Sequence, residues 1–201
     1  MVYAIDLRSI VRKDVWVQVP PPAQTVYTFT MRNKLLLAAG AGAASILLAI
    51  WGHFIADPSS LSPSIIIPID IFNLILYVSY IWGFATLAEM YKKPVITYAS
   101  YAWITASILS TIVVYAFPNI TQQYLIQVLF GITIGSAIIA VGWQMTKLQN
   151  QVGILAQLYG ILAMVIGIGV LGFFGDSIAT IADLCAFALA STIFLQVARK
   201  N

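Results

Sequence analysis

Six long apolar stretches, set apart by short polar connections, constrain this chain more than any other feature of its sequence. They run over about 35–55, 65–87, 95–117, 124–143, 152–174 and 178–197, the second starting near Ile65 or Ile69. Crossing about 30 Å of hydrocarbon takes roughly 20 helical residues at 1.5 Å each. Backbone polar groups in lipid must be bonded internally, so spans this apolar are helices. The period-two alternation of a barrel strand is absent from them. Only 8% of the 201 residues are charged, against about 25% in a soluble domain, too few to cover a water-soluble globule. The expectation is an all-α polytopic membrane protein, a six-helix transmembrane bundle over residues 35–197 with the lipid bilayer as its solvent. The single Cys185 lies inside an apolar run and excludes an internal disulfide.

The positions of the basic residues predict an orientation. Arg8, Arg12, Lys13, Arg32 and Lys34 precede the first stretch, Lys92 and Lys93 follow the second, Lys147 follows the fourth, and Arg199 and Lys200 follow the last. These are all the Lys and Arg of the chain, and the alternate connections hold none. The positive-inside rule then places both termini in the cytoplasm, which requires an even number of spans. Residues 1–34 read as a cytoplasmic tail and 198–201 as a second one, with the plasma membrane as the expected location. Met31-Arg32-Asn33-Lys34 also resembles a natural start, which would make the first thirty residues an over-extended reading. The first apolar stretch is too long for a signal-peptide core of about 7–15 residues, so it reads as a retained helix.

Small residues predict how the helices meet. Gly131 and Gly135 form a GxxxG continued by Gly142, and Gly153, Gly160 and Gly167 recur every seven residues with Ala156 and Ala163 between them. Such a stripe lets backbones approach where lipid supplies no hydrophobic drive. Packing inside the bundle is the plainer use of these glycines, and a homo-oligomer or a larger membrane complex is the sharper one. Trp51, Tyr115, Phe117 and Tyr124 fall at one predicted boundary and Trp82, Tyr91, Tyr98 and Trp143 at the other, whereas Trp103 falls mid-span as a packing residue.

Ionisable groups within spans are costly and mark candidate sites. Asp183 sits about five residues into the sixth stretch, roughly 8 Å deep, with Thr180 on the same helical face. Asp70 lies near the start of the second stretch with Asn73 on its face. Pro68 is expected to open that helix, which would place Asp70 in the first turn, where unpaired N–H groups and the helix dipole favour an anion. Asp57, Asp70, Asp176, Asp183 and His53 all fall on the predicted outer side. Pro58 spoils the His53–Asp57 spacing for a shared metal, so no metal site is expected.

The sequence holds no HExxH, CxxC, P-loop or paired haem histidines, so neither a cofactor nor catalytic machinery is expected, and nucleic acid is not an expected partner. Two functional classes remain. The first, favoured by the glycine stripes and the shortage of polar groups inside the spans, is a non-catalytic structural or accessory membrane protein. The second is a small transporter or channel for a cation, proton or small solute, with Asp183, Asp70, Asn73 and Thr180 as the binding candidates.

Overall fold

The computed structural model describes residues 21–52, 62–116, 120–173 and 176–200. Those residues are helical, with no strand among them. The elements are α1 (Pro21–Ile50), α2 (Pro63–Tyr91), α3 (Pro94–Ala116), α4 (Ile120–Lys147), the short α5 (Gln149–Val152), α6 (Ile154–Ile168) extended by a π-helical turn (Gly169–Phe173), and α7 (Asp176–Lys200). Six of them are long and apolar enough to cross a membrane. The first begins earlier than the apolar stretch does. Helix α1 starts at Pro21 and runs unbroken through Arg32 and Lys34, with its membrane-length part at Phe29–Ile50.

Helix α2 departs from expectation at its start. It opens at Pro63, after an extended Ser62, so Pro68 lies inside it and Asp70 is not in its first turn. A proline at the first helical position gives up an N–H that has no partner there anyway, and Pro63 takes that place. Pro68 comes soon after, where the loss of one backbone bond is confined to the helix's first turns. The other end closes on Lys92 in the left-handed conformation (φ 53°), with the Lys93 N–H bonded to the Ala88 carbonyl at 2.9 Å. Pro94 then starts α3.

The helices form a ring in chain order. Each of α1, α2, α3, α4, α6 and α7 packs on its sequence neighbours, and α7 returns to pack on α1. The α4–α6 seam is the most extensive and the α6–α7 seam the thinnest. Two pairs of glycines explain the first. A Cβ on Gly160 would lie 2.5 Å from the Gly142 carbonyl oxygen, and one on Gly167 would lie 2.7 Å from the Gly135 carbonyl oxygen. The reverse approaches are 2.7 Å for Gly142 and 2.8 Å for Gly135. Backbone therefore meets backbone along this seam, and any side chain at these four positions would push the helices apart. Gly131 is looser, with the Val170 carbonyl oxygen at 3.8 Å. Gly153 does not belong to the stripe at all. It breaks the chain between α5 and α6 at φ +116° and ψ −178°, a region that only glycine visits readily. On the other side of the ring Gly83 and Gly42 make room for side chains instead, with a Cβ on Gly83 falling 2.5 Å from Ala38 Cβ and one on Gly42 falling against Ser191 Oγ.

Burial is uneven along the bundle. The alternating helix directions bring Arg32, Lys34, Lys92, Lys93, Lys147, Arg199 and Lys200 to one end. Fully buried side chains gather in that half: Leu35 and Ala38 of α1, Ile81, Phe84, Leu87 and Ala88 of α2, Val141 and Met145 of α4, and Ala190, Ile193, Phe194 and Val197 of α7. Aromatic rings close its centre, with Phe84 stacked on Tyr159 at 5.0 Å and edge-on to Phe194 at 4.9 Å. In the opposite half of α2, from Ser64 to Ser79, no described position is fully buried. Lys34 over Trp82 and Lys147 over Trp143 form cation–π pairs in the basic half, 5.6 and 3.5 Å from the ring centres.

A polar cavity and an acidic chamber

The loosely packed half holds a cavity of about 430 Å³ between α2, α3 and α4. Helix α2 contributes Asp70, Asn73, Leu74 and Tyr77, which recur every three or four residues and so share a face. Helix α3 contributes Ser107, Ser110, Thr111, Val114 and Tyr115 by the same spacing, and α4 contributes Gln127 and Ile134. The mouth is rimmed by Asn73 and Tyr115, both exposed.

Its polar groups are ordered by one another. The Tyr115 hydroxyl donates to the Asp70 carboxylate. The Ser110 hydroxyl donates to Gln127 Oε1 at 2.8 Å, and the Thr111 hydroxyl is turned back onto the Ser107 carbonyl at 3.0 Å. Ser107 differs from these. It is 7% exposed, and its hydroxyl has no hydrogen-bond partner. A buried hydroxyl without a partner forfeits about 1–3 kcal/mol, and here it stands in the wall of a polar space large enough to admit one.

A second, smaller chamber of about 70 Å³ occupies the middle of the ring. Five helices line it, with Tyr77, Tyr80, Trp103, Tyr159 and Phe187 among the walls and Asp183 as the one carboxylate among the described lining residues. The Asp183 side chain is exposed, so it stands at the chamber's mouth beside Val170 of the π-helical turn. Tyr77 and Ile134 line both spaces and form the partition between them. Tyr77 is held in that partition: its hydroxyl accepts a hydrogen bond from Trp103 Nε1 at 3.0 Å, and its ring stands edge-on to Trp103 at 5.9 Å and to Phe187 at 6.1 Å. Trp103, a packing residue by its mid-span position alone, is thus also a hydrogen-bond donor to the partition.

The structure brings Asp70 and Asn73 into one cavity as their spacing suggested, but it places Asp183 in the neighbouring one. The Thr180 side chain, His53 and Asp57 lie outside the described residues, as does the Asp176 side chain. Among the described residues no three His, Cys, Asp or Glu side chains cluster as metal ligands would. Tyr77, Ser107, Ser110 and Gln127 escape a reading that looks for charged side chains. The signal available for them was a face: positions 70, 73, 77 and 80 on α2, and 103, 107, 110 and 114 on α3. Comparison with known protein families, with curated proteins and with solved structures finds no match to this chain.

Proposed function

We propose that this chain is a small multi-pass transporter for a cation or small solute, with both termini on the cytoplasmic side. The reading is carried by one observation: two adjoining cavities, each with one carboxylate among its described lining residues, share Tyr77 as their partition, and the larger lies in the loosely packed half of the bundle. An intramembrane carboxylate facing a cavity is a costly arrangement, and an ion or proton pathway is its usual use. The opposite half is sealed by Tyr80, Phe84, Tyr159 and Phe194. A route open at one end and closed at the other suits alternating access rather than a standing pore. The alternative is an accessory protein that uses its glycine stripes to dock a partner. Gly135, Gly142, Gly160 and Gly167 meet one another inside the chain, which leaves that reading less surface to stand on.

The test is uptake of alkali cations, protons and small ammonium, polyol and carboxylate solutes into proteoliposomes. The transport reading expects uptake of at least one of these, abolished by Asp183→Asn at unchanged expression and unchanged thermal stability. No uptake of any, uptake that survives Asp183→Asn, or a folding defect that accounts for the whole loss would refute it.

A further inference from the structure

We propose that the cavity between α2, α3 and α4 is a binding site for a small organic ammonium ion. Charge sets the sign of the ligand. Among the described residues that line it, Asp70 is the one carboxylic acid and there is no Lys, Arg or His. An anion would meet an uncompensated carboxylate there, whereas a cation supplies the missing charge. Size sets the class. About 430 Å³ falls in the range of small-molecule pockets and far exceeds what a bare metal ion fills. A hard divalent cation would also need six or more oxygen ligands with several carboxylates among them.

The remaining walls suit N–H donors. Ser107 Oγ is buried with no partner, and Asn73 adds an amide group to the same lining, whereas Gln127 Oε1 already accepts from Ser110. An ammonium group has three donors and no acceptor, so a carboxylate and an unpartnered hydroxyl oxygen match it. Tyr77 and Tyr115 bring two aromatic rings to the same lining, and an aromatic ring attracts a cation placed over its face. The inference rests on the transport reading only for the passage of the bound ion across the membrane, and the two can fail separately.

The test uses the full chain in lipid nanodiscs and measures binding calorimetrically with ethylammonium. Glycerol, sodium and acetate at matched ionic strength serve as comparators. Ethylammonium should bind, with the three comparators at least tenfold weaker. Asp70→Asn should weaken ethylammonium at least tenfold. Ser107→Ala should weaken it several-fold without lowering thermal stability, because its hydroxyl has no partner to lose. Ser100→Ala, which removes another buried unpartnered hydroxyl away from the cavity, should leave affinity unchanged. If Asp70→Asn fails to fold, the Ser107 and Ser100 pair still decides. No ammonium binding, equal binding of glycerol or acetate, or an unchanged affinity in Ser107→Ala would overturn the site. Ammonium binding without uptake would remove transport and leave the site standing. Uptake of another solute that ammonium does not inhibit would remove the site and leave transport.

Discussion

Gly160→Ala should loosen the whole bundle although it adds one methyl group. The new Cβ would lie 2.5 Å from the Gly142 carbonyl oxygen, 2.6 Å from Thr146 Cγ2 and 2.8 Å from the Thr146 nitrogen. Two of these three atoms are backbone and cannot rotate away. Ordinary van der Waals contact begins at 3.4 Å, so α4 and α6 must part by about 0.9 Å. A gap of about 0.5–1 Å forfeits a quarter to a half of each dispersion contact, and this is the most extensive seam in the ring. Overpacking of this kind costs about 1–3 kcal/mol. In lipid no hydrophobic term offsets it. Gly131→Ala meets its nearest atom at 3.8 Å and Gly40→Ala meets none within 4 Å, so both should be neutral, or stabilising by about 0.5–1 kcal/mol through helix propensity. The assay is equilibrium unfolding of the three variants in mixed micelles by titration with a denaturing detergent. A Gly160→Ala variant as stable as Gly131→Ala would refute the backbone-to-backbone seam.

Other positions yield separate expectations. Gly153→Ala should cost about 1–3 kcal/mol by a different route, backbone strain at φ +116°, and the same titration should detect it; a neutral result would mean that the α5–α6 break does not depend on that backbone conformation. Trp103→Phe removes the N–H that Tyr77 accepts at 3.0 Å and should cost about 0.5–1.5 kcal/mol, read as a lowered melting temperature. An unchanged melt would show that the partition does not depend on that bond. Reporter fusions at Ser60 and Gln122 should register the outer side and one at Asn201 the cytoplasm. A swap of any of these would overturn the orientation.

Much of the fold is legible in the sequence because the bilayer leaves few alternatives. A stretch such as Val95 to Phe117, flanked by prolines, has to be a helix of membrane length, and six such stretches yield six helices. Short connections make consecutive helices neighbours, but nothing in the sequence says that α7 closes the ring against α1. Local chemistry is ambiguous where two residues could play one part. Pro63 and Pro68 both suit a helix start, and Ser62 in an extended conformation ahead of Pro63 settles it. The seven-residue spacing groups Gly153 with Gly160 and Gly167, yet spacing cannot distinguish a glycine needed for closeness from one needed for its φ. The candidate site is half legible. Asp70 and Asn73 share a face by spacing, whereas the meeting of Tyr77 with Trp103, or of Ser110 with Gln127, joins separate helices and exists only in three dimensions.

The central claim is a cavity that opens at one end of the bundle and is sealed at the other. Ser107 and Ser100 test it most directly, since both sit on α3, both are buried and both have hydroxyls without partners, but only Ser107 lines the cavity. Each would be replaced by cysteine in a Cys185→Ala background and exposed to a membrane-impermeant maleimide in sealed vesicles of known orientation. Ser107→Cys should label from the side opposite the basic residues and not from their own side, while Ser100→Cys should resist from both. Labelling of Ser107→Cys from the basic side, equal labelling of the two variants, or no labelling of either would contradict the one-sided cavity.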